Sequence, residues 1–288
     1  MKKLFCIPCG GTSAVLFAEW KKYFGEQIEL LPLEIPGRGS KADKSLNKDL
    51  HAVAEELSLE IEQKTENQPY SILGLCYGAL VGYEICRIFE QKQKPLPEHL
   101  YICASPSPQP TDPILYTPLF LREEFRNEVY DMFRRLFPPQ LFPDPEFAVQ
   151  LSKQMVKIFY EKIDKIQLTA ETDPSEVIFY PEDVSSLPID QSMKEYMIEF
   201  TNSLITAIIN DEIASLIYYQ SSKEKKQLPV KSVIVYGTKD ELLNDSWKDW
   251  SEWLILEKAV PTEQNHLTLM WDVPEISNAI LESEEHYV

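Results

Sequence analysis

SILGLCYGAL, residues 71–80, places Cys76 between Gly74 and Gly78 at the join of two hydrophobic patterns. Residues 70–76 before the join are a short apolar run of strand length. Residues 78–91 after it open on small side chains and then carry Tyr83, Ile85, Ile88 and Phe89, as a helix does. A buried strand that turns sharply into a helix needs glycine on both sides of the turn, because the two backbones pass too close for a Cβ. The residue at the apex is held in strained geometry with its side chain at the end of the strand, which is how a nucleophile is presented. The plainer reading is a strand-to-helix turn that buries a cysteine, a residue type that is often buried.

Moving outward, the same alternation recurs. Residues 3–9, 28–37, 98–104, 230–237 and 253–260 are further short apolar runs, most of them stopping at Gly or Pro. Between them, Leu50, Val53, Ala54, Leu57 and Ile61 fall on one helix face, and residues 274–284 begin a helix at Pro274. Strands alternating with helices predict an α/β fold with a mostly parallel sheet flanked by helices. The alternation fails between 115 and 228, where long helical, aromatic-rich patterns are punctuated by prolines. The expected organisation is a core of residues 1–114 and 229–288 with a large helical lid, residues 115–228, inserted over the C-terminal edge of the sheet. A separate helical bundle domain is the alternative.

Composition narrows the function. A formal charge of −18 argues against a nucleic-acid partner, which needs a basic stripe. No apolar run is long enough to span a membrane. The N-terminal MKKLFCIPCGG has too short an apolar stretch for a signal peptide and reads as a first strand, so a cytoplasmic location is expected. Five scattered cysteines in a chain of 288 residues predict free thiols, and the lone Cys6/Cys9 pair has no second pair for a metal.

A cysteine nucleophile needs a base and a group to orient it. Of the four histidines, His51 falls in the first amphipathic helix, His99 opens a strand at the wrong edge, and His286 is in the tail. His266, in TEQNHLTLM, follows the last strand run and emerges at the same edge as Cys76. Asp240, three residues past Gly237, is the preferred acid, with Asp112 after the fourth strand as the alternative. The chain order nucleophile, acid, base is that of an α/β-hydrolase. The N–H of Tyr77, at the positive end of its helix, and that of Gly10, in the loop after the first strand, are the expected oxyanion donors. A tight strand-to-helix turn explains Gly10 and Gly11 equally well, and both readings hold together.

In this order the pieces resemble the type II thioesterase family of α/β-hydrolases, the editing enzymes of nonribosomal peptide and polyketide synthesis. The first loop reads CIPCGGTSA where that family has a Pro-x-x-Gly-Gly-Ser-like loop. EIPGRGS, with Pro36, Gly37, Arg38 and Gly39, matches its Leu-Pro-Gly-Arg-Gly segment. PYSILGLCYGAL, YGTKDEL and QNHLTLM match its nucleophile, acid and base segments. The match spans residues 3–93 and about 230–280. This chain departs from the family in three ways: Cys76 replaces the serine, Leu75 replaces the preceding histidine, and the interval from Cys76 to Asp240 looks longer.

The resemblance implies an acyl or peptidyl chain delivered as a phosphopantetheine thioester by an acyl or peptidyl carrier protein, with no cofactor of the enzyme's own. A thiol beside an imidazolium at a helix N-terminus ionises more readily than a free one. Its attack exchanges one thioester for another, so cysteine tilts the expected outcome from hydrolysis towards acyl transfer or cyclisation. Aromatic residues of the lid (Phe120, Phe125, Tyr130, Phe133, Phe137, Phe159, Tyr160, Phe200, Tyr218 and Tyr219) are candidates for an apolar or mixed acyl site, although helix packing is the expected role of most of them. Lys21, Lys22 and Lys223 to Lys226 are candidates for carrier docking. Cys9 is a candidate partner for an inhibitory disulfide with Cys76. The rival classes are a cysteine hydrolase of free esters or lactones, resembling dienelactone hydrolase, and a non-catalytic binding protein.

Overall fold

The protein is described from a computed structural model, which covers all residues except 67, 137–143, 166–167, 188, 222 and 286–288. In chain order the elements are β1 (Lys2–Ile7), α1 (Lys21–Phe24), β2 (Ile28–Pro32), α2 (Leu50–Thr65), β3 (Tyr70–Leu75), α3 (Tyr77–Gln91) and β4 (His99–Cys103). After these come α4 (Glu123–Leu136), α5 (Pro145–Ile163), α6 (Gln191–Gln220), β5 (Leu228–Gly237), β6 (Leu254–Thr262), α7 (His266–Leu269) and α8 (Val273–Glu285).

Among the described residues the strands form one sheet, ordered β2-β1-β3-β4-β5-β6, with every neighbouring pair parallel. A parallel sheet must be covered on both faces, and alternate strand residues accordingly enter different clusters. Phe5, Ile7 and Ile72 pack with α2 and α3 on one face, whereas Leu4, Cys6 and Leu73 pack with α1 and α8 on the other. Each large side chain buried this way stabilises the fold by about 1.5–3 kcal/mol. The order in which strands are added reverses between β1 and β3, with β2 on one side and β4 to β6 on the other. At such a point the loops splay apart and leave a crevice beyond the strand C-termini.

The second apolar run is shorter than 28–37. β2 ends at Pro32, and the chain leaves the sheet through a turn at Gly37, whose φ is 87°. Pro36 has no N–H for the ladder. Between β4 and β5 the described residues form helices and no strand, and their apolar faces meet in a third cluster separate from both sheet faces. None of the described helices is long and apolar enough to cross a membrane.

Candidate active site

Cys76 is the residue between β3 and α3, with φ 48° and ψ −113°. A β-carbon in that left-handed region costs of order 1–3 kcal/mol and persists only where the surroundings enforce it. Here they do. A Cβ on Gly74 would lie 2.3 Å from the Ala79 Cα, and one on Gly78 would lie 2.4 Å from the Ile7 carbonyl oxygen. The Cys76 N–H is tied to the Cys103 carbonyl at 2.8 Å. Cys76 is half-buried while the other four thiols are buried. Burial pushes the pKa of Cys9 up to about 12 and raises those of Cys6, Cys86 and Cys103 as well.

His266 and Asp240 sit on the two neighbouring loops at the same edge. Thr238 N–H donates to the Thr262 carbonyl (2.8 Å) and Lys239 N–H to that of Gln264 (3.1 Å), which registers the two loops against each other. Asn265 and Thr268 form a reciprocal capping box that fixes the start of α7 and hence His266. One Asp240 oxygen, Oδ1, accepts the N–H groups of Leu242 and Leu243 at 3.1 and 3.0 Å. Its Oδ2 lies 3.0 Å from His266 Nδ1. The other ring nitrogen is left free of Asp240, and the Cys76 thiol lies near enough for its charge to act on the imidazole. Burial alone would drive the imidazole pKa down. The charges of Asp240 and Cys76 and the hydrogen bond to Asp240 outweigh it and raise the pKa well above 6.5. The arrangement favours a proton on His266 beside the sulfur.

The remaining candidates fall elsewhere. Asp112 caps a short 3-10 turn by accepting the Ile114 N–H at 3.0 Å. His51 and His99 pair with Glu84 and Glu257, each at 2.7 Å. His286 lies outside the described residues, as does Phe137.

Gly10 and Tyr77 both line the cavity at Cys76. Tyr77 opens α3, so its N–H has no intrahelical acceptor. Of the two adjacent glycines the sterically required one is Gly11. Its φ is 74°, and a Cβ there would lie 2.0 Å from Ile208 Cγ1. The Gly11 N–H donates to Asp211 Oδ2 at 2.8 Å. Asp211, on α6, also receives both terminal nitrogens of Arg38 at 2.6 and 2.7 Å, and the pair is buried. Arg38 of the PGRG segment thus fastens the loop carrying Gly10 to the helical segment. The sequence singled out Arg38. Its partner was hidden, because Asp211 lies 173 residues away within a helix of mixed pattern.

The cavity has a volume of about 280 Å³, with Cys76 and His266 in its wall. Of the nine aromatic candidates among the described residues only Phe125 lines it. Most of these rings serve helix packing, the role expected of most of them. Phe120, Phe125 and Phe159 pack edge to face at centroid distances of 5.2–5.4 Å, which satisfies the rings among themselves. The wall is instead aliphatic, with Leu119, Met132, Leu204, Ile208 and Leu267. Two acids escaped the sequence reading, since an isolated Glu in a helix carries no signal. Glu128 on α4 accepts the Leu267 N–H at 2.9 Å, beside His266, and burial raises its pKa. Glu212 on α6 accepts the Leu119 N–H at 2.6 Å, and burial raises its pKa too. The basic candidates lie away from the cavity: Lys22 pairs with Glu19, Lys225 with Glu252 and Lys226 with Glu90.

Residues 2–194 match the thioesterase domain family. The chain belongs to that family. It is 35% identical over 107 residues to the gramicidin S biosynthesis protein GrsT of Aneurinibacillus migulanus, a match covering 37% of this chain and 41% of that protein. It is 27% identical over 106 residues to the thioesterase PikA5 of Streptomyces venezuelae, covering 37% of this chain and 38% of that protein. These matches thus span about two fifths of those relatives. The type II thioesterase BorB from the borrelidin cluster superposes with a TM-score of 0.62 at 19% identity, covering 98% of this chain and 91% of that one. ClbQ from the colibactin pathway gives 0.60 at 17%, covering 98% of both chains. At those identities the likeness is one of fold, and the fold is that of an α/β-hydrolase.

Proposed function

We propose that this chain releases short acyl groups from carrier-protein phosphopantetheine thioesters in nonribosomal peptide or polyketide synthesis, with Cys76 as nucleophile, His266 as base and Asp240 as orienting acid. One observation carries the reading. In a member of the thioesterase family, a buried imidazole is hydrogen-bonded to Asp240 and lies within electrostatic reach of Cys76, at the wall of an apolar cavity. GrsT, a gramicidin S biosynthesis protein, and the thioesterase PikA5 support a thioester substrate in natural-product biosynthesis.

The steps follow from the geometry. The Cys76 sulfur attacks the thioester carbonyl carbon, and the carbonyl oxygen takes the negative charge beside the Tyr77 and Gly10 N–H groups. Collapse breaks the carbon–sulfur bond to the pantetheine arm, and the departing thiolate takes the proton from His266. Neutral His266 then removes a proton from water as its oxygen attacks the acyl-cysteine. The second collapse restores the sulfur and the protonated imidazole and frees the carboxylic acid. At about 280 Å³ the cavity lies just below the range of about 300–1,000 Å³ typical of ligand pockets, which favours hydrolysis of a short group over closure of a long chain into a ring.

The test is thiol release from an acyl N-acetylcysteamine thioester and from an acylated carrier protein, with mass spectrometry of the trapped enzyme. Free acid and an acyl adduct on Cys76 are expected. Faster turnover of a soluble lactone would favour the ester or lactone hydrolase. No turnover, with Cys76 alkylated no faster than the buried thiols, would favour a binding protein. A cyclic product from a longer chain would restore the cyclisation outcome.

A further inference from the structure

We propose that Glu212 makes the cavity selective for acyl groups carrying a protonated amine, an aminoacyl thioester above all. The inference rests on the thioesterase reading of the same site and names its substrate class.

Glu212 follows Asp211 on α6, and both line the cavity. Their situations differ. Both Asp211 oxygens are spent on Arg38, and one of them also on the Gly11 N–H. Glu212 uses one oxygen, Oε1, to accept the Leu119 N–H. Among the described residues it has no ion-pair partner. The nearby cations make no ion pair with it, although the Arg122 charge acts on it and Arg135 lines the same cavity. Arg122 donates to the Leu242 carbonyl at 2.6 Å, and Arg135 is exposed, 5.8 Å from the Trp271 ring. Glu212 is half-buried rather than sealed, so its carboxyl is open to the cavity.

A carboxylate with no ion-pair partner in an apolar wall, only partly offset by the charges of Arg122 and His266, is costly to keep charged. That cost is visible as the rise in its pKa through burial. An incoming ammonium supplies the missing partner, and the pair forms where water is scarce and the attraction strong. Position agrees with this chemistry. Glu212 is close enough to His266 for their charges to interact, and both Glu212 and Cys76 act on Tyr219. The α-amine of an aminoacyl thioester is two bonds from the carbonyl carbon that Cys76 attacks, so it falls in the same neighbourhood. A neutral fatty acyl group leaves Glu212 with no partner.

The test compares two N-acetylcysteamine thioesters of one carbon skeleton near pH 7, leucyl with its free amine and 4-methylpentanoyl without it. Wild type is expected to show a kcat/KM about tenfold or more higher for leucyl, since a site built around a polar group discriminates against the analogue lacking it. Glu212→Gln keeps an oxygen for the Leu119 N–H and removes the charge. In that variant the preference should collapse to within about twofold. A merely structural glutamate would leave the ratio unchanged. Equal turnover of both thioesters by wild type, or a preference surviving in Glu212→Gln, overturns the inference while the thioesterase reading stands. Turnover of neither overturns both.

Discussion

The Cys76 turn and the aliphatic wall opposite it meet at one cavity but are built in opposite ways. The turn is fixed by steric contacts within a few residues and its neighbouring strands: two glycines without room for a Cβ, and a cysteine forced to φ 48°. The wall is fixed by long-range attachments, Asp211 to Arg38, Glu212 to the Leu119 N–H and Glu128 to the Leu267 N–H. Local sterics hold the Cys76 sulfur, and distant polar pairs position what surrounds it. The acylated group can therefore change with the wall while the turn stays the same.

Perturbing each side should separate the two. Cys76→Ala should lower kcat/KM for a thioester by at least about 10³-fold with an unchanged circular dichroism spectrum. Retained turnover would place the nucleophile elsewhere. Arg38→Met strands a buried carboxylate and should cost about 3–5 kcal/mol in urea unfolding. Adding Asp211→Leu to it should recover much of that loss; if the double variant is no more stable than the single, the pair is not the attachment.

A third, smaller effect lies between turn and wall. The His266 pKa is raised in the folded chain, so its pairing contributes stability that is fully present below about 6.5, the unfolded value. That stability is lost as pH rises through the folded value. The gap in melting temperature between wild type and Asp240→Asn should therefore be widest at or below neutral pH and narrow in alkali. A gap that is constant with pH would show that Asp240 acts only by shape. Smallest of all, Glu128→Gln keeps an acceptor for the Leu267 N–H and should change kcat/KM by no more than about threefold. A much larger loss would make the charge of Glu128, rather than its hydrogen bond, the feature that holds the loop.

The same contrast explains what could be read from the chain. Strand runs and helix faces are local periodicities, so the parallel α/β order was legible, with β2 overextended because the apolar run continues past the sheet. The Gly-x-Cys-x-Gly pattern is local too, and it pointed to the turn the structure contains. Strand topology then carried Asp240 and His266 to the same edge, although their roles still await the experiments above. Asp211, Glu212 and Glu128 were invisible, since nothing within a turn of helix distinguishes them from solvated acids. Which of the aromatic residues would meet the cavity was not legible for a related reason: a ring that packs on another ring and one that meets a ligand look the same in sequence.

The Arg38–Asp211 bridge also sets how substrate gets in. Lifting α6 from the sheet must break a bidentate pair in a dry setting. At about 3–5 kcal/mol that open state is populated at roughly one molecule in 10² to 10⁴. α4 meets the His266 loop through the Glu128 hydrogen bond, which costs about 1–3 kcal/mol to give up, besides apolar packing on Leu267 and the Arg135–Trp271 contact. Traffic through the cavity should follow the weaker seam, so α6 behaves as the hinge post and α4 as the door.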